Sequence, residues 1–385
     1  VTTGAPPLGL YVHWPYCARI CPYCDFNVFR AKGREDEADQ LVRAILSDLE
    51  SQRTLTGPRE LVSIFFGGGT PSLMAPDDVA RIIGAARSLW SPAADLEVSL
   101  EANPTDAEAH RFAALAQAGV DRLSLGLQSL DDAALRFLGR NHDAAEGRRA
   151  AEAAARAFRR VSVDLIYARP AQAAGAWADE LRAAVALGAE HVSPYQLTIE
   201  TGTAFDRAVR RGVFTPPDDA LGADLYDATQ AVLEAEGFEA YEVSNHAKGE
   251  AARSRHNLVY WRGLDYVGAG PGAHGRLTRA GVRHATVAQG RPADYIRTVA
   301  ERGVGFAESE ALTPLEAAEE RLLSGLRIPE GVAFAEVSAL NLSPAHPTVR
   351  RLIDLGLLAD DRHRLRATPQ GRRLLDRVTR DLATA

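Results

Sequence analysis

From Leu8 to Leu197 the chain alternates short apolar runs with longer stretches whose apolar residues recur at helical spacing. The runs Leu8–Trp14, Leu61–Phe66, Leu96–Leu100, Arg122–Leu127, Val161–Tyr167 and His191–Leu197 predict six strands, several apolar enough to be buried on both faces. Between them, Glu35–Arg53 predicts a helix with Ala38, Leu41, Val42, Ile45 and Leu49 on one face. Further helices are expected over Pro76–Trp90, Asp106–Ala118 (ending at Gly119), Asp131–Leu138, Ala144–Phe158 and Ala176–Leu187. Six β–α units with short connections imply a parallel sheet with helices outside it, either an open doubly wound sheet or a barrel-like curl.

Beyond residue 200 the alternation stops. A helix over Asp219–Glu236 and a strand over Phe238–Ser244 precede a dense polar-aromatic stretch that includes His256-Asn257-Leu258-Val259-Tyr260-Trp261 and Gly268–Gly275. Residues 313–327 predict another helix, and the tail from about 330 reads as helix, helix, hairpin, helix, the order of a small winged-helix domain.

The unusual residues fall where strands of such a sheet end, the place where α/β folds gather function. All three cysteines, Cys17, Cys21 and Cys24, lie on the loop after the first strand in a C-x3-C-x2-C spacing. Three thiolates there can converge on one centre: a zinc ion with His13 as fourth ligand, or an iron–sulfur cluster with one iron left open. An odd cysteine count without an export signal argues against a disulfide. The glycine run Gly67–Thr70 follows the second strand but is neither a Walker loop nor a dinucleotide fingerprint. It reads as a tight turn or as a cradle for a small polar cofactor. Glu101 ends the third strand, Gln128 the fourth, and Asp164 sits inside the apolar fifth, where it must be paired or functional.

These motifs resemble the radical S-adenosylmethionine superfamily. Tyr11-Val-His-Trp-Pro-Tyr-Cys17, Phe66-Gly-Gly-Gly-Thr-Pro71, Glu101-Ala-Asn-Pro104, Leu123–Ser129, Leu138-Gly-Arg-Asn-His142 and Val163-Asp-Leu-Ile166 are similar to its coproporphyrinogen-oxidase-like branch. The resemblance implies a partial (β/α)6 TIM-like barrel with a C-terminal α+β, winged-helix-like domain. It also implies a 4Fe–4S cluster on the three cysteines, with S-adenosylmethionine on the open iron. By position, Tyr11, Tyr23, Gly68, Gly69, Thr70, Glu101, Gln128, Arg140 and Asp164 match cofactor-site residues of that branch. The implied division is a barrel over 1–205, an extension over 206–328 and a terminal domain over 329–385.

Within the branch, Cys24-Asp25-Phe26-Asn27 looks like the HemW-type haem chaperones, because the dehydrogenases carry a further cysteine two residues after the third. His256-Asn257-x-x-Tyr260-Trp261 shares that resemblance and makes His256 the expected haem ligand, ahead of His246, His274 and His284. The implied partners are haem, haem-acceptor proteins (respiratory enzymes among them) and an electron donor for the cluster. The competing readings are an oxygen-independent coproporphyrinogen III oxidase and a structural zinc protein.

Composition changes little in this picture. With 46% hydrophobic and 25% charged residues, the 385-residue chain is ordinary for a globular protein. A net charge of −7 gives no general affinity for nucleic acid. The tail holds nine Arg against five Asp over 346–381 but no clear recognition helix, so a lid or partner surface over the barrel mouth is expected there. There is no signal-peptide pattern and no apolar run near the ~20 residues of a membrane helix, so a cytoplasmic protein is expected.

Overall fold

The computed structural model describes residues 5–385. Strands β1 (Leu8–Trp14), β2 (Glu60–Gly68), β3 (Ser91–Ala102), β4 (Arg122–Gln128), β5 (Arg160–Tyr167) and β6 (His191–Gln196) are parallel and adjacent in chain order. A doubly wound sheet would reverse that order about an inner strand. Here it advances in one direction only, which is the winding of a barrel. The sheet does not close, because further strands extend it past both β1 and β6. The fold is a partial (β/α)6 barrel.

The apolar stripes read from the sequence cover the outside of this sheet. Helix α1 (Glu35–Thr56) buries Leu41, Val42, Ile45 and Leu49, α2 (Pro76–Leu89) Val79, Ile82 and Ile83, and α4 (Ala174–Val185) Trp177 and Leu181, all in one core with the strands. Helix α3 (Ala144–Ala157) packs through alanines and starts at a capping box between Asp143 and Glu146. The helix expected over Asp106–Ala118 is broken into Asp106–Ala109 and Phe112–Gln117, where Glu108 turns inward to Ser72 and to the backbone N–H of Asn103.

The polar-aromatic stretch holds structure that its sequence does not announce. Strands β7 (Glu239–Glu242) and β8 (Asn245–Ala247) continue the sheet beyond β6, and α5 (Arg255–Trp261) carries the His256 motif. Strand β9 (Asp265–Ala269) lies parallel to β1, and β10 (His274–Arg279), β11 (Val282–Ala288) and β12 (Phe306–Ala311) follow as an antiparallel meander. These outer strands face solvent, and β12 is exposed along nearly its whole length, so none carries an apolar run.

The C-terminal segment has its own core, with Leu322, Leu326, Val337, Val349, Leu352 and Val378 in it. The expected first helix is a 3-10 segment, Phe334–Leu340, and the hairpin is reduced to Val332–Ala333 beside Arg364–Leu365. The module leans on the sheet edge and on α5: Arg372 donates to the Ala240 carbonyl (3.1 Å), Arg327 pairs with Glu242, and Arg321 donates to the Trp261 carbonyl (3.1 Å). No described residue beyond Glu200 lines the barrel-mouth cavity, so the expected lid over the mouth is not what this module forms. No helix among the described residues is long and apolar enough to cross a membrane.

Helix α1 also buries a carboxyl group. Asp48 accepts from Tyr295 Oη (2.6 Å), Gln52 Nε2 (3.1 Å) and the Gly305 N–H (3.3 Å), and burial pushes it up to about 6. Its folded value lies above the unfolded ~3.9, so its stabilising contribution is full below about pH 4 and is lost as pH rises through 6. Between pH 7.5 and 4.5, urea unfolding should move the difference between wild type and Asp48→Asn by about 2 kcal/mol in favour of wild type. A pH-independent difference would remove the perturbed carboxyl from the account.

Candidate functional site

The cysteine loop leaves the end of β1 and is pinched at its neck. Tyr16–Cys17 pairs in parallel with Phe29–Arg30, the Phe29 N–H donates to the Pro15 carbonyl (2.7 Å), and the Ala31 N–H donates to that of Cys17 (2.9 Å). The glycine run crosses directly beneath. The Gly69 N–H donates to the Trp14 carbonyl (2.7 Å) and the Thr70 N–H to the Tyr16 carbonyl (2.9 Å). Gly68 adopts φ +107°, a conformation that side chains rarely take, and a Cβ there would lie 2.5 Å from the His13 ring.

A cavity of about 420 Å³ opens above this crossing. Cys17, Cys21, Cys24 and Tyr23 line one wall, and Gly68, Gly69 and Thr70 line its base. Glu101, Gln128, Arg140 and Asp164 reach it from the ends of β3 and β4, the following loop, and β5. Gln128 holds φ +62° at an irregularity in the β4–β5 register. For a non-glycine residue such a backbone costs about 1–3 kcal/mol and tends to persist at functional positions.

Arg140 organises the polar side of the cavity. Its guanidinium donates to Cys21 Sγ (3.3 Å), Asn103 Oδ1 (2.6 Å) and the Gly126 carbonyl (3.0 Å), while Nε is buried with no partner among the described residues. Asn103 also donates through Nδ2 to Thr70 Oγ1 (3.0 Å), so one amide orients both neighbours of the cysteine wall. In the sequence Asn103 stands only within Glu101-Ala-Asn-Pro104, and nothing local marks it for this position. Burial pushes the Cys17 thiol up and the Cys24 thiol up to about 11, so metal loading at neutral pH must displace protons.

Across the cavity sit two carboxyl groups. Glu101 accepts the Gly68 N–H (3.1 Å) and is pushed up to about 8, by burial first and the Asp164 charge second. Asp164 is raised by burial against the bonds it accepts, the Ser124 hydroxyl at 2.9 Å among them, and its Oδ1 is buried without a partner. The guanidinium on one side, two carboxyl groups on the other and a cradle free of side chains suit a zwitterionic ligand with an extra positive charge. S-adenosylmethionine is such a ligand. Among the described residues no three His, Cys, Asp or Glu side chains converge on a single metal ion. A four-iron, four-sulfur cluster held by three thiolates keeps one iron open to a further ligand, and the three cysteines face a cavity with room for one.

Tyr11 and His256 lie deeper. They line an inner cavity of about 170 Å³ that shares Glu101, Ser124, Asp164 and Tyr195 with the mouth. Tyr11 Oη bonds to His13 Nδ1 (3.0 Å). His256 is 1% exposed, with Nδ1 on Ser63 Oγ (2.9 Å) and Nε2 on Tyr260 Oη (2.7 Å), and burial lowers it to about 3. It also stacks on Phe65, ring centroids 4.9 Å apart. Both nitrogens are committed, and the cavity beside them is far smaller than a macrocycle. In this arrangement His256, the expected haem ligand, pins α5 to β2. His246 is buried against Gln230, and His284 bonds Arg279. The His274 ring is exposed with no hydrogen bond among the described residues.

Gly69→Ala tests the crossing beneath the cavity. A Cβ there would sit 2.8–2.9 Å from backbone atoms of Trp14, Pro15 and Tyr16, none of which can swing aside. Reconstituted Gly69→Ala should hold less than half the wild-type iron per chain and melt several degrees lower, destabilised by roughly 1–3 kcal/mol. Wild-type iron content and melting together would show that the close approach is not needed.

A model of the Radical SAM superfamily matches residues 11–174, and one of the HemN C-terminal domain matches 312–374. The mitochondrial radical S-adenosyl methionine domain-containing protein 1 of Bos taurus is 40% identical over 97% of this chain and 86% of its own. The heme chaperone HemW of Escherichia coli (strain K12) is 42% identical over 71% of each chain, and that of Bacillus subtilis (strain 168) 33% identical over 96% of this chain and 97% of its own. Among solved structures, the coproporphyrinogen III oxidase HemN of Escherichia coli overlays with a TM-score of 0.82 across 99% of this chain and 91% of that one; at 22% identity this is a likeness of fold. The chain belongs to the radical S-adenosylmethionine superfamily, whose members carry a 4Fe–4S cluster and S-adenosylmethionine, and the HemW proteins are among its relatives.

Proposed function

We propose that this protein is a haem chaperone on a radical S-adenosylmethionine scaffold, binding haem and passing it to acceptor proteins. The observation that carries the reading is the whole-length kinship with proteins named HemW, joined to Asp25-Phe26 where the dehydrogenase pattern has another cysteine. Residues 1–205 would hold the cluster on Cys17, Cys21 and Cys24. Arg140 would receive the ligand's carboxylate, Glu101 and Asp164 its positive charge and hydroxyl groups, and Gly68, Gly69, Thr70 and Gln128 would shape the cradle. Tyr23 would line the same wall as Cys21, and Tyr11 would lie deeper, in the inner cavity. When bound, the cluster supplies one-electron chemistry at its open iron. Residues 206–328 and 329–385 would serve haem handling and acceptor contact.

A second reading, oxidative decarboxylation of coproporphyrinogen III, is favoured by the fold likeness to HemN. One paired assay separates the two. Anaerobically reconstituted protein is titrated with haem and, in parallel, incubated with coproporphyrinogen III, S-adenosylmethionine and a reductant. Haem binding with no protoporphyrinogen formed is the expected result; sustained turnover to protoporphyrinogen would reverse the order. His256→Ala should keep the wild-type Soret band of the haem complex while melting lower, and loss of that band would restore His256 as a ligand.

The carboxyl pair gives the cofactor half its own signature. A cationic ligand beside Glu101 favours its ionised form, so binding releases a proton below about pH 8. Affinity for S-adenosylmethionine should climb from pH 6.5 to 8.5, by at most about tenfold per unit, and flatten in Glu101→Gln. Calorimetry showing no pH dependence in wild type would contradict this placement of the charge.

A further inference from the structure

The glycine-rich stretch Gly268–Gly275 has no part in the mouth cavity, yet it touches the cysteine loop. Asn27, three residues after Cys24, donates both amide hydrogens of Nδ2 into the extension: one to the Pro271 carbonyl (2.9 Å), the other to that of Gly290 (2.7 Å). Its own backbone carbonyl accepts from His13 Nε2 (2.9 Å) at the end of β1. With two carbonyls facing it, the amide has one favourable orientation, nitrogen outward. The extension is shaped to come this close. Gly272 holds φ +79°, and a Cβ on it would lie 2.6 Å from Asn27 Nδ2. Gly270 holds φ +103°, and a Cβ there would run into the His13 carbonyl oxygen. The same turn is braced from behind by the Gly272 N–H on the Gln289 carbonyl (2.9 Å).

We infer that Asn27 is a positioning residue for the cluster, locking the outgoing limb of the cysteine loop, and so Cys24, onto the 270–272 and 290 turns of the extension. The inference rests on the cluster reading above. It makes the extension part of the cluster site, although none of its residues lines the cavity that the cysteines face. The loop is then held at two independent places, by the Cys17–Arg30 pairing at its neck and by Asn27 at its exit.

Asn27→Ala removes both donors, and Asn27→Asp keeps the shape while turning a carboxylate on two carbonyls. Metal-free forms of both should melt within a few degrees of wild type, because Asn27 lies outside the apolar core. After reconstitution, both should lose iron to a chelator roughly tenfold faster than wild type, as expected for the loss of one to two net hydrogen bonds, with an altered electron paramagnetic resonance spectrum of the reduced cluster. Wild-type rates and spectra in both variants would overturn the assignment. Hydrogen exchange at residues 18–28 of the metal-free chain supplies a second arm: faster exchange in Asn27→Ala supports the anchor, and unchanged exchange rejects it. A wild-type chain that takes up neither iron nor sulfide would count against the cluster reading, and the exchange comparison would still decide the anchor.

Discussion

At the end of β1 four chain segments cross in close contact. Trp14 and Tyr16 receive the glycine run, His13 receives Gly68 and Gly270, and the neck of the cysteine loop closes over Pro15 and Cys17. A Cβ on Gly69 or Gly270 would push against backbone, and one on Gly68 against the His13 ring. The cavity that brings thiols, guanidinium and carboxyl groups together exists because these segments cross so tightly. The barrel supplies the platform, and this crossing supplies the site.

Electrostatics divides the barrel interior into layers. At the rim, Arg140 lies against the cysteine wall and stands opposite Glu101 and Asp164, and the carboxyl values rise because burial is not offset by a paired cation. Further down, Glu97 is held low, burial being outweighed by Arg122, Arg160 and the N–H groups of Arg255 and His256. The same residue type is thus neutralised by proton at the mouth and by cation at the floor. A layer left short of positive charge is the one poised to accept a cationic ligand.

Much of this was legible from residue order. Period and length point to the six parallel strands, and the strand ends place Cys17, Cys21, Cys24, Glu101 and Gln128 at one rim, with Asp164 inside the fifth strand. The strands β10–β12 escaped because they present residues to solvent, so polar residues such as those of Phe306–Ala311 mask the period. Asn27 and Asn103 belong to the cysteine-loop and Glu101 motifs, but an asparagine's partners are set by distant carbonyls and side chains that no local pattern encodes. The winding direction was equally hidden, since β–α alternation is common to doubly wound and barrel sheets.

His256 shows how motif and environment can point in opposite directions. A histidine followed by tyrosine and tryptophan suggests an imidazole beside a porphyrin, and the aromatics do gather around it, Phe65 stacked and Tyr260 edge-on. But the ring's affinity for a metal depends on a free lone pair, and here Ser63 and Tyr260 take both nitrogens while Glu97 holds the backbone N–H (3.1 Å). Freeing Nε2 would leave the Tyr260 hydroxyl unpaired in a buried setting, at a cost of about 1–3 kcal/mol. Displacing the stacked ring would add to that cost. The aromatic company therefore serves the junction between α5 and β2, and that junction holds the extension against β1, where the 270–272 turn reaches the cysteine loop.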